Sequence, residues 1–446
     1  MGLKTSFRGV SLPPQKVSNP AIENAPLPKR VVLPLGQSEN RVCKPVVEVG
    51  EHVKTGQLIG QSDDFLVAPV HSSVSGTVTE IRPWSDLSGN KMPSVIVESD
   101  GNDSWLEEIR AHEDFSDKAS AQLLPDVKAA GVVETGPPSM PLHAKFTKPE
   151  PSKEFQFLVG IPQSKPVDTV IINGIDAEPG MAAKGAVLTK YSSEIADGIR
   201  ILQKLIGSAQ MVLAVGSNGS VSSPLSGELA GLGVQVFQGK DKYPLGLNPI
   251  LIKCVTGREI PLPDGTEQDI GVAVVDAVTL VHLVEAVRDL KPQVDKIVSV
   301  SGAGITAVKN YKVRLGTLVQ DLAEQLAGLQ GDPVKVIAGG AMTGVALLST
   351  DIPVTKETDA LIFQTAAEAK SFSPDACINC GLCVRHCPSR LLPNELSKYC
   401  EFSMFEEARD KYLLHCIECG ICAYVCPEKR PMLHLLRYGK RELSLA

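Results

Sequence analysis

The sequence has few aromatic residues and no excess of positive charge. Phenylalanine, tryptophan and tyrosine make up 4% of the 446 residues, which is too few for a surface that stacks single-stranded nucleic-acid bases. The formal net charge is −7, so the chain as a whole does not attract phosphate backbones. We therefore expect no nucleic-acid partner.

Long apolar runs are also absent. The strongest candidates, at 167–175 and 339–348, are interrupted by Gly or Asn and are shorter than the roughly 18 to 20 residues that span a bilayer. The first residues, MGLKTSFRGVSLPP, contain no apolar core of signal-peptide length. We expect no transmembrane segment and a cytoplasmic chain, in which clustered cysteines indicate metal sites rather than disulfides.

The chain is too long for one ordinary hydrophobic core, and its pattern changes along its length. Residues 1–28 are polar and contain proline, which predicts an extended arm. Residues 29–100 show short apolar runs separated by Gly turns, which predict a β domain. Two of its segments, VVEVGEHVKTGQLIG and APVHSSVSGTVTEI, resemble the halves of a lipoyl-type barrel-sandwich domain. A swinging-arm carrier needs a lysine in the second segment, which has none, so we interpret the domain as structural.

The rest of the chain predicts three further units, which makes the fold class multidomain α/β. Residues 115–285 alternate between strand and helix patterns, which predicts a parallel, doubly wound sheet with sites at the carboxyl ends of its strands. Residues 290–345 predict a β-grasp-like unit, similar to the soluble-ligand-binding β-grasp (SLBB) family, with a turn at Asn310 and a helix from about Thr317. From residue 360 to 446 we expect a helical, cysteine-rich domain.

Eight of the eleven cysteines lie in two runs with the same spacing. CINCGLCVRHCP (Cys377 to Pro388) and CIECGICAYVCP (Cys416 to Pro427) both follow C-x2-C-x2-C-x3-C-P, the spacing of bacterial ferredoxins. Three thiolates of a run can bind three corners of one iron–sulfur cube, and the fourth ligates the neighbouring cluster. Two structural zinc sites are the alternative, but such sites rarely show this order with a trailing proline twice.

This crossover predicts two [4Fe–4S] clusters, each with ligands from both runs. The first cluster would be held by Cys377, Cys380, Cys383 and Cys426, and the second by Cys387, Cys416, Cys419 and Cys422. The other three cysteines, Cys43, Cys254 and Cys400, fit no pattern, and we interpret them as buried small hydrophobic residues.

The order of these domains resembles the C subunit of the Rnf electron-transport complex over nearly the full length. The resemblance is carried by PVHSSVSGTV, INGIDAEPG, VRLGT, VIAGGAMTG and the two cysteine runs. It implies a peripheral subunit on the cytoplasmic side of the cell membrane, in an oxidoreductase complex that translocates Na⁺ or H⁺. It also implies partners: a ferredoxin-like B subunit, membrane flavoprotein or cytochrome subunits, and ferredoxin.

In such subunits the α/β domain resembles the flavin-carrying subunit of respiratory complex I and exchanges hydride with NAD(H) through FMN. The family's flavin loop is close to G-x-G-G-A-G-F-P, because only bare backbone can approach the phosphate and the isoalloxazine. This chain has GVVETGPPSMP instead. Gly131 and Gly136 remain, whereas Pro137 and Pro138 remove N–H donors and Glu134 adds negative charge. We therefore expect the α/β domain to have lost nicotinamide chemistry.

The segment NGIDAEPG keeps the residues that the resemblance places at the flavin site, namely Asn173, Asp176, Glu178 and Gly180. They also fit a structural role in a strand-to-helix turn, so FMN is a candidate cofactor only. Three functions stay open, and no catalytic residue is predicted. The first is an electron relay through two clusters without hydride chemistry of its own. The second is an NADH:acceptor oxidoreductase subunit that holds FMN, and the third is a scaffold with structural metal sites.

Overall fold

Most of the chain is described by a computed structural model. The described residues are 7–13, 21–37, 41–87, 89–109, 115–136, 139–146, 166–207, 209–217, 221–306, 308–331, 333–373 and 375–445. Pro137 and Pro138, on which part of the loop interpretation rests, lie outside them. Within these ranges, no helix has both the length and the apolar character needed to cross a membrane.

The N-terminal β domain consists of two small antiparallel sheets that share one core. The strands up to residue 99 are β1 (Ile22–Asn24), β2 (Arg30–Pro34), β3 (Lys44–Pro45), β4 (His52–Val53), β5 (Leu58–Gln61), β6 (Val70–His71), β7 (Gly76–Ser85) and β8 (Lys91–Ser99). One sheet has the order β2-β8-β7-β4 and the other β3-β5-β6, while β1 joins a different sheet. Val31, Leu33, Ile59 and Val95 are fully buried in the shared core. This is the sandwich that the Gly-punctuated pattern predicted.

The α/β domain contains a parallel sheet of order β13-β12-β11-β14 with apolar packing on both faces. Its elements are α1 (Ser120–Ala129), β9 (Val133–Glu134), β10 (Met140–Pro141), α2 (Leu142–Phe146), β11 (Thr169–Gly174), α3 (Ala183–Lys190), α4 (Ser192–Ile206), β12 (Gln210–Val215), α5 (Ser223–Gly231), β13 (Gln235–Gln238), α6 (Asn248–Thr256), β14 (Val272–Asp276) and α7 (Ala277–Arg288). Ile172 packs on the face covered by α4 and α7, and Ile171 on the face covered by α6. The predicted parallel, doubly wound sheet is confirmed.

A six-stranded mixed sheet of order β1-β16-β15-β19-β17-β18 follows. Its remaining elements are β15 (Asp295–Ser301), β16 (Lys309–Arg314), α8 (Val319–Leu322, followed by a π turn at Ala323–Ala327), β17 (Lys335–Ala338), β18 (Val345–Ala346) and β19 (Ala360–Gln364). β1, from the N-terminal arm, pairs with β16 at one edge.

Two expectations for this region are corrected. Asn310 lies inside β16 and not in a turn. Its side-chain amide is buried there, where it accepts a hydrogen bond from the Ser299 hydroxyl (2.7 Å) and donates one to the Ala182 carbonyl (3.2 Å). The chain also does not turn helical at residue 360, since β19 is a central strand between β15 and β17. A short apolar run such as ALIF fits a buried strand as well as a helix, and periodicity alone does not separate the two.

The C-terminal domain is helical from residue 382. Its helices are α9 (Leu382–His386), α10 (Pro393–Glu401), α11 (Phe405–Asp410), α12 (Ile421–Tyr424) and α13 (Met432–Leu445), with a 3-10 turn at Leu413–His415. α10 and α11 lie between the two cysteine runs. A Cβ atom at Gly439 would lie 2.4 Å from the Cys400 Sγ, so the glycine permits α13 to pack closely against α10.

Candidate iron–sulfur centres

The two cysteine runs adopt the same local backbone. Asn379 and Glu418 occupy equivalent positions and are both left-handed, with φ of 53° and 54°, and Gly381 and Gly420 both have φ of 72°. Asn379 and Glu418 each donate their backbone N–H to the Sγ atom of the first cysteine of their run, over 3.4 Å. A left-handed conformation costs a non-glycine residue about 1 to 2 kcal/mol. Its recurrence therefore indicates loops that are shaped to direct N–H groups at sulfur.

The eight cysteines line two cavities, and both runs contribute to each. The inner cavity is lined by Cys387, Cys416, Cys419 and Cys422. The outer cavity is lined by Cys377, Cys380, Cys383 and Cys426. In each group three cysteines come from one run, and the fourth, which precedes a proline, comes from the other.

The sulfur atoms are farther apart than a tetrahedral zinc site requires. Zn–S bonds of about 2.3 Å place the four sulfurs roughly 3.8 Å from one another. Among the described residues, no three cysteine Sγ atoms lie within 4.8 Å of one another, although side-chain atoms of His282, Glu285 and Asp295 do. The cysteines thus surround a space larger than a single ion, and four thiols around such a space fit a four-iron cube.

The group of His282, Glu285 and Asp295 already has cationic partners from the protein. The Lys291 ammonium lies 3.0 Å from Glu285 and 2.9 Å from Asp295, and the Lys312 ammonium lies 2.8 Å from Glu285. Two ammonium groups balance the two carboxylates, so this group is a buried charge network rather than a metal site.

The two cavities differ in burial. Cys419 and Cys422 of the inner cavity are each 8% exposed, whereas Cys380 of the outer cavity is exposed and its neighbour Ile378 is 60% exposed. Burial raises the pKa of the Cys416 thiol to about 11 and that of Cys419 to about 12. These thiols therefore hold their protons at neutral pH unless metal ions displace them.

The second run is attached to the α/β domain and to the mixed sheet. The Tyr243 hydroxyl donates to the Cys419 carbonyl over 2.6 Å, and the Arg437 guanidinium donates to the Thr343 carbonyl over 2.8 Å. A Cβ atom at Gly420 would lie 2.4 Å from the Met342 carbonyl oxygen, so glycine is required at this contact. Rigid elements outside the helical domain thus position the inner cavity.

The N-terminal arm covers the same cavity. Val10 and Tyr243 exchange two backbone hydrogen bonds of 3.0 and 2.9 Å, and Arg8 donates to the Val384 carbonyl over 3.2 Å. Val10 packs in one apolar cluster with Cys419 and Ile421. Residues that precede the first domain therefore help to exclude water from the inner cavity.

Of the four candidate flavin residues, Asn173 lies near the carboxyl end of β11 and the other three follow that end, and each makes contacts within the protein. The Asn173 amide donates to the Gly246 carbonyl over 3.0 Å. The Asp176 carboxylate accepts the backbone N–H groups of Lys184 and Gly185, over 2.9 and 3.0 Å, and so caps α3.

Glu178 and Gly180 contact the mixed sheet. The Glu178 carboxylate accepts the backbone N–H groups of Met342 (2.7 Å) and Thr343 (3.0 Å) as well as the Thr343 hydroxyl. Gly180 has φ of 90°, and a Cβ atom there would lie 2.8 Å from both Ile362 and Ser301. The structure brings the four residues to one edge of the parallel sheet, where all of them have structural contacts.

The segment that replaces the glycine-dense loop packs against the protein. Gly131 has φ of 64°, and a Cβ atom there would lie 2.4 Å from the Pro69 carbonyl oxygen, so its bare backbone faces the β domain. Glu134 is 3% exposed, and its carboxylate accepts the backbone N–H of Asp276 over 2.9 Å. Nothing would lie within 4 Å of a Cβ atom at Gly136.

Three family models match the chain in the expected order. They are the RnfC barrel sandwich hybrid domain over residues 4–102, the Nuo51 FMN-binding domain over 127–285 and the 4Fe-4S dicluster domain over 369–427. Over 98% of its length the chain is 33% identical to the C subunit of the proton-translocating ferredoxin:NAD(+) oxidoreductase complex of Clostridium ljungdahlii, and it covers 94% of that protein. The chain belongs to the RnfC family.

Other RnfC relatives align over similar lengths. The C subunit of the Na(+)-translocating ferredoxin:NAD(+) oxidoreductase complex of Acetobacterium woodii is 31% identical over 98% of this chain and 97% of that protein. The C subunit of the ion-translocating oxidoreductase complex of Rhodobacter capsulatus is 32% identical over 95% of this chain and 80% of that protein. An NAD+-reducing [NiFe]-hydrogenase aligns with a TM-score of 0.48 and 16% identity, over 74% of this chain and 61% of that chain, a likeness too low to support a conclusion.

Several sequence predictions are thereby confirmed. This RnfC member has an N-terminal barrel-sandwich domain, an α/β domain of the Nuo51 FMN-binding family and a C-terminal 4Fe–4S dicluster domain. Cys43, Cys254 and Cys400 are buried, as expected for small hydrophobic residues. The SLBB identity of residues 290–345 is tested neither by these matches nor by the fold, and stays a prediction.

Sequence reasoning missed the residues that attach the inner cavity to the rest of this RnfC chain. Tyr243, Met342 and Arg437 lie at no fixed spacing from Cys419, so no local pattern links them. One signal was available. Tyr243 lies in the otherwise apolar and turn-rich segment KYPLGLNP, where a lone tyrosine suggests a buried hydroxyl that needs a partner.

Proposed function

We propose that this chain is a peripheral electron-transfer subunit of an Rnf-type membrane complex. It would relay electrons between soluble carriers and the membrane redox subunits, in a complex that couples this transfer to Na⁺ or H⁺ translocation. The observation that carries the proposal is the pair of four-cysteine cavities, each assembled from both runs.

The proposed ligands are the cysteines that line each cavity. One [4Fe–4S] cluster would be held by Cys377, Cys380, Cys383 and Cys426, and the other by Cys387, Cys416, Cys419 and Cys422. When bound, such a cluster supplies one-electron transfer at a potential set by its surroundings. The chain supplies the thiolates, and Asn379 and Glu418 supply N–H donors to sulfur. No three cysteine Sγ atoms among the described residues lie within 4.8 Å of one another, which fits this ligand set better than a single zinc ion.

The protein around the two cavities suggests different roles for them. Ile421 and the N-terminal Val10 exclude water from the inner cavity and bury it against the α/β domain. Cys380 and Ile378 are exposed at the rim of the outer cavity, so a redox partner can approach there. The chain thus provides one accessible and one shielded redox site.

Partners and location follow from the relatives. Their names describe subunits of ferredoxin:NAD(+) oxidoreductase complexes, so we extend to this chain the partners ferredoxin, a ferredoxin-like B subunit and membrane flavoprotein or cytochrome subunits. Attachment through these subunits would hold it on the cytoplasmic face of the cell membrane. Within this arrangement, residues 29–100, 115–285, 290–345 and 360–446 would be the functional units, the third being an SLBB-like spacer that also uses β19.

A second candidate function is that of an NADH:acceptor oxidoreductase subunit with FMN in the α/β domain. The match of residues 127–285 to the Nuo51 FMN-binding domain favours it. The contacts of Asn173, Asp176 and Glu178 within the protein favour the first candidate, because the side chains that would bind the flavin already have partners.

The test is anaerobic reconstitution of the full chain, followed by iron and sulfide analysis and titration with NADH. We expect about eight iron atoms and about eight sulfide ions per chain, in keeping with two four-iron clusters, and no bleaching of the clusters by NADH. Bleaching by NADH at catalytic rates would replace the first candidate by the second. Zinc without sulfide would support a scaffold with structural metal sites.

A further inference from the structure

The carboxyl edge of the parallel sheet is the place where an α/β domain binds a phosphate-bearing cofactor, because helix N-termini with free N–H groups meet there. In this chain the two helices that follow β11 and β14 are capped by the protein's own carboxylates. Asp176 accepts two N–H groups at the start of α3, and Asp276 accepts the N–H of Val278 at the start of α7, over 2.8 Å. Neither helix offers a free N-terminus to an anion.

Glu134 adds a third carboxylate to this crevice. It comes from the segment that replaces the glycine-dense loop, and its Oε1 atom accepts the backbone N–H of Asp276 over 2.9 Å. Among the described residues its Oε2 atom is buried without a hydrogen-bond partner. A side chain therefore occupies the space that bare glycine backbone would leave to a ligand.

The charges in the crevice do not favour a phosphate. Two buried lysines lie there, with Lys145 3.0 Å from Glu267 and Lys184 2.5 Å from Asp276. The carboxyl groups that act on these two ammonium groups are Glu134, Asp176, Glu267, Asp276 and Asp359. Because Glu267 and Asp276 pair directly with the two lysines, each ammonium group already has a partner from the protein in place of a phosphate.

The segment that carries Glu134 is held in place at both ends. Lys356, which is fully buried, donates to the Gly131 carbonyl over 2.7 Å, and Glu357 accepts the Ser139 hydroxyl. β9 and β10 pair as antiparallel strands, with Glu134 opposite Met140. A strand pair thus presents Glu134 to the crevice.

We propose that the Glu134 carboxyl group takes the place of a cofactor phosphate in the crevice and closes it to FMN and NAD(H). This inference rests on the proposed function, in which the chain relays electrons without hydride chemistry. It explains why the α/β fold persists without the loop that its family uses for flavin. The Glu134 carboxyl group replaces the ligand as the group that accepts the N–H of Asp276, while Lys145 is paired with Glu267.

The test compares the full reconstituted chain with its Glu134→Ala variant, using inorganic phosphate and FMN as probes. We expect the wild type to retain no flavin after desalting, and its melting temperature not to respond to phosphate. E134A should melt roughly 5 °C lower, because the buried N–H of Asp276 loses its acceptor. Millimolar phosphate, which can accept that N–H in the vacated space, should restore most of that loss.

Glu267→Ala is the matched control, because it removes the other carboxylate beside Lys145 and leaves Glu134 in place. It should lower the melting temperature without recovery in phosphate. Stoichiometric FMN in the wild type would overturn the proposal, and so would an E134A variant that neither loses stability nor responds to phosphate.

A second variant covers the case in which E134A does not fold. Glu134→Gln keeps an oxygen that accepts the N–H of Asp276, so it should fold and stay free of FMN, and flavin bound by it would equally overturn the proposal. Iron and sulfide measured in the same samples keep the two hypotheses apart. Absent clusters would contradict the proposed function, whereas the flavin and phosphate results concern Glu134.

Discussion

The Tyr243 hydroxyl donates a 2.6 Å hydrogen bond to the Cys419 carbonyl, and this bond joins the α/β domain directly to the inner cavity. The same tyrosine is bonded through its backbone to Val10 of the N-terminal arm. One buried residue therefore links three parts of the chain that are far apart in sequence, at the second cysteine of the second run. Burial raises the pKa of the Tyr243 hydroxyl well above its usual range, so the group stays a donor at any physiological pH.

Replacing Tyr243 by Phe should destabilise the holoprotein by about 1 to 3 kcal/mol, because the buried Cys419 carbonyl is left without a donor. Guanidinium denaturation followed by the visible absorbance of the clusters measures this. Tyr412→Phe is the control, since that side chain is 62% exposed and should change little. Equal effects of the two variants would show that the Tyr243 bond has no particular role.

Replacing Cys387 by Ser should remove the inner cluster and spare the outer one, even though Cys387 belongs to the first run. The matched variant Cys426→Ser should do the reverse. Electron paramagnetic resonance of the dithionite-reduced proteins, with iron analysis, distinguishes the two remaining clusters. If the cluster lost were instead the one bound by the other cysteines of the same run, the crossover assignment would be wrong.

Replacing Glu178 by Gln should lower the unfolding free energy by about 1.5 to 3 kcal/mol, because its carboxylate accepts the N–H groups of Met342 and Thr343. Glu259→Gln is the exposed control, with a side chain that is 67% accessible. Thermal or denaturant unfolding gives the difference. If Glu178 were instead a residue that binds flavin, the Glu178→Gln variant would lose bound FMN and keep the stability of the wild type.

Lys356 should make stability rise with pH in the alkaline range. Burial lowers its pKa to about 7, against an ordinary value of 10.5. Between pH 7 and pH 10.5 the Lys356 side chain is protonated in the unfolded chain and mostly neutral in the folded one. Unfolding therefore takes up a proton, and the free energy of unfolding increases with pH, by about 2 kcal/mol from pH 7 to pH 9. The titratable groups that face Lys356 are Cys43, whose thiol pKa burial raises, and His71, whose pKa burial lowers to about 3.

The Lys356→Met variant should lack this rise, and Lys44→Met, which alters an exposed lysine, should keep it. Melting temperatures measured at half-unit steps from pH 6.5 to 9.5 make the comparison. Parallel curves for the wild type and K356M would mean that the ammonium is not the titrating group.

Local patterns predicted the parts of the molecule that depend on local rules. The positions of Cys377 and Cys416 predicted two equivalent loops, because two-residue gaps and a glycine determine how a backbone turns around sulfur. The alternation of strands and helices predicted the parallel sheet for a similar reason. In both cases the relevant residues are neighbours in sequence.

The parts that sequence reasoning missed depend on distant contacts. The run ALIF at the start of β19 was assigned to the helical domain, because nothing nearby shows that β15 and β17 need a strand between them. Glu134 was expected only to add negative charge to the loop, whereas the structure buries it against Asp276. That contact requires β14, which follows far along the chain, so local spacing could not have revealed it.

The strand β1 has a consequence for biosynthesis. It precedes its partner β16, at Lys309–Arg314, and the barrel-sandwich and α/β domains lie between the two strands in the chain. At roughly 5 to 20 residues per second, the partner emerges on the order of tens of seconds later. Until then β1 has no partner strand, whereas the strands of the barrel-sandwich domain pair among themselves and can fold first.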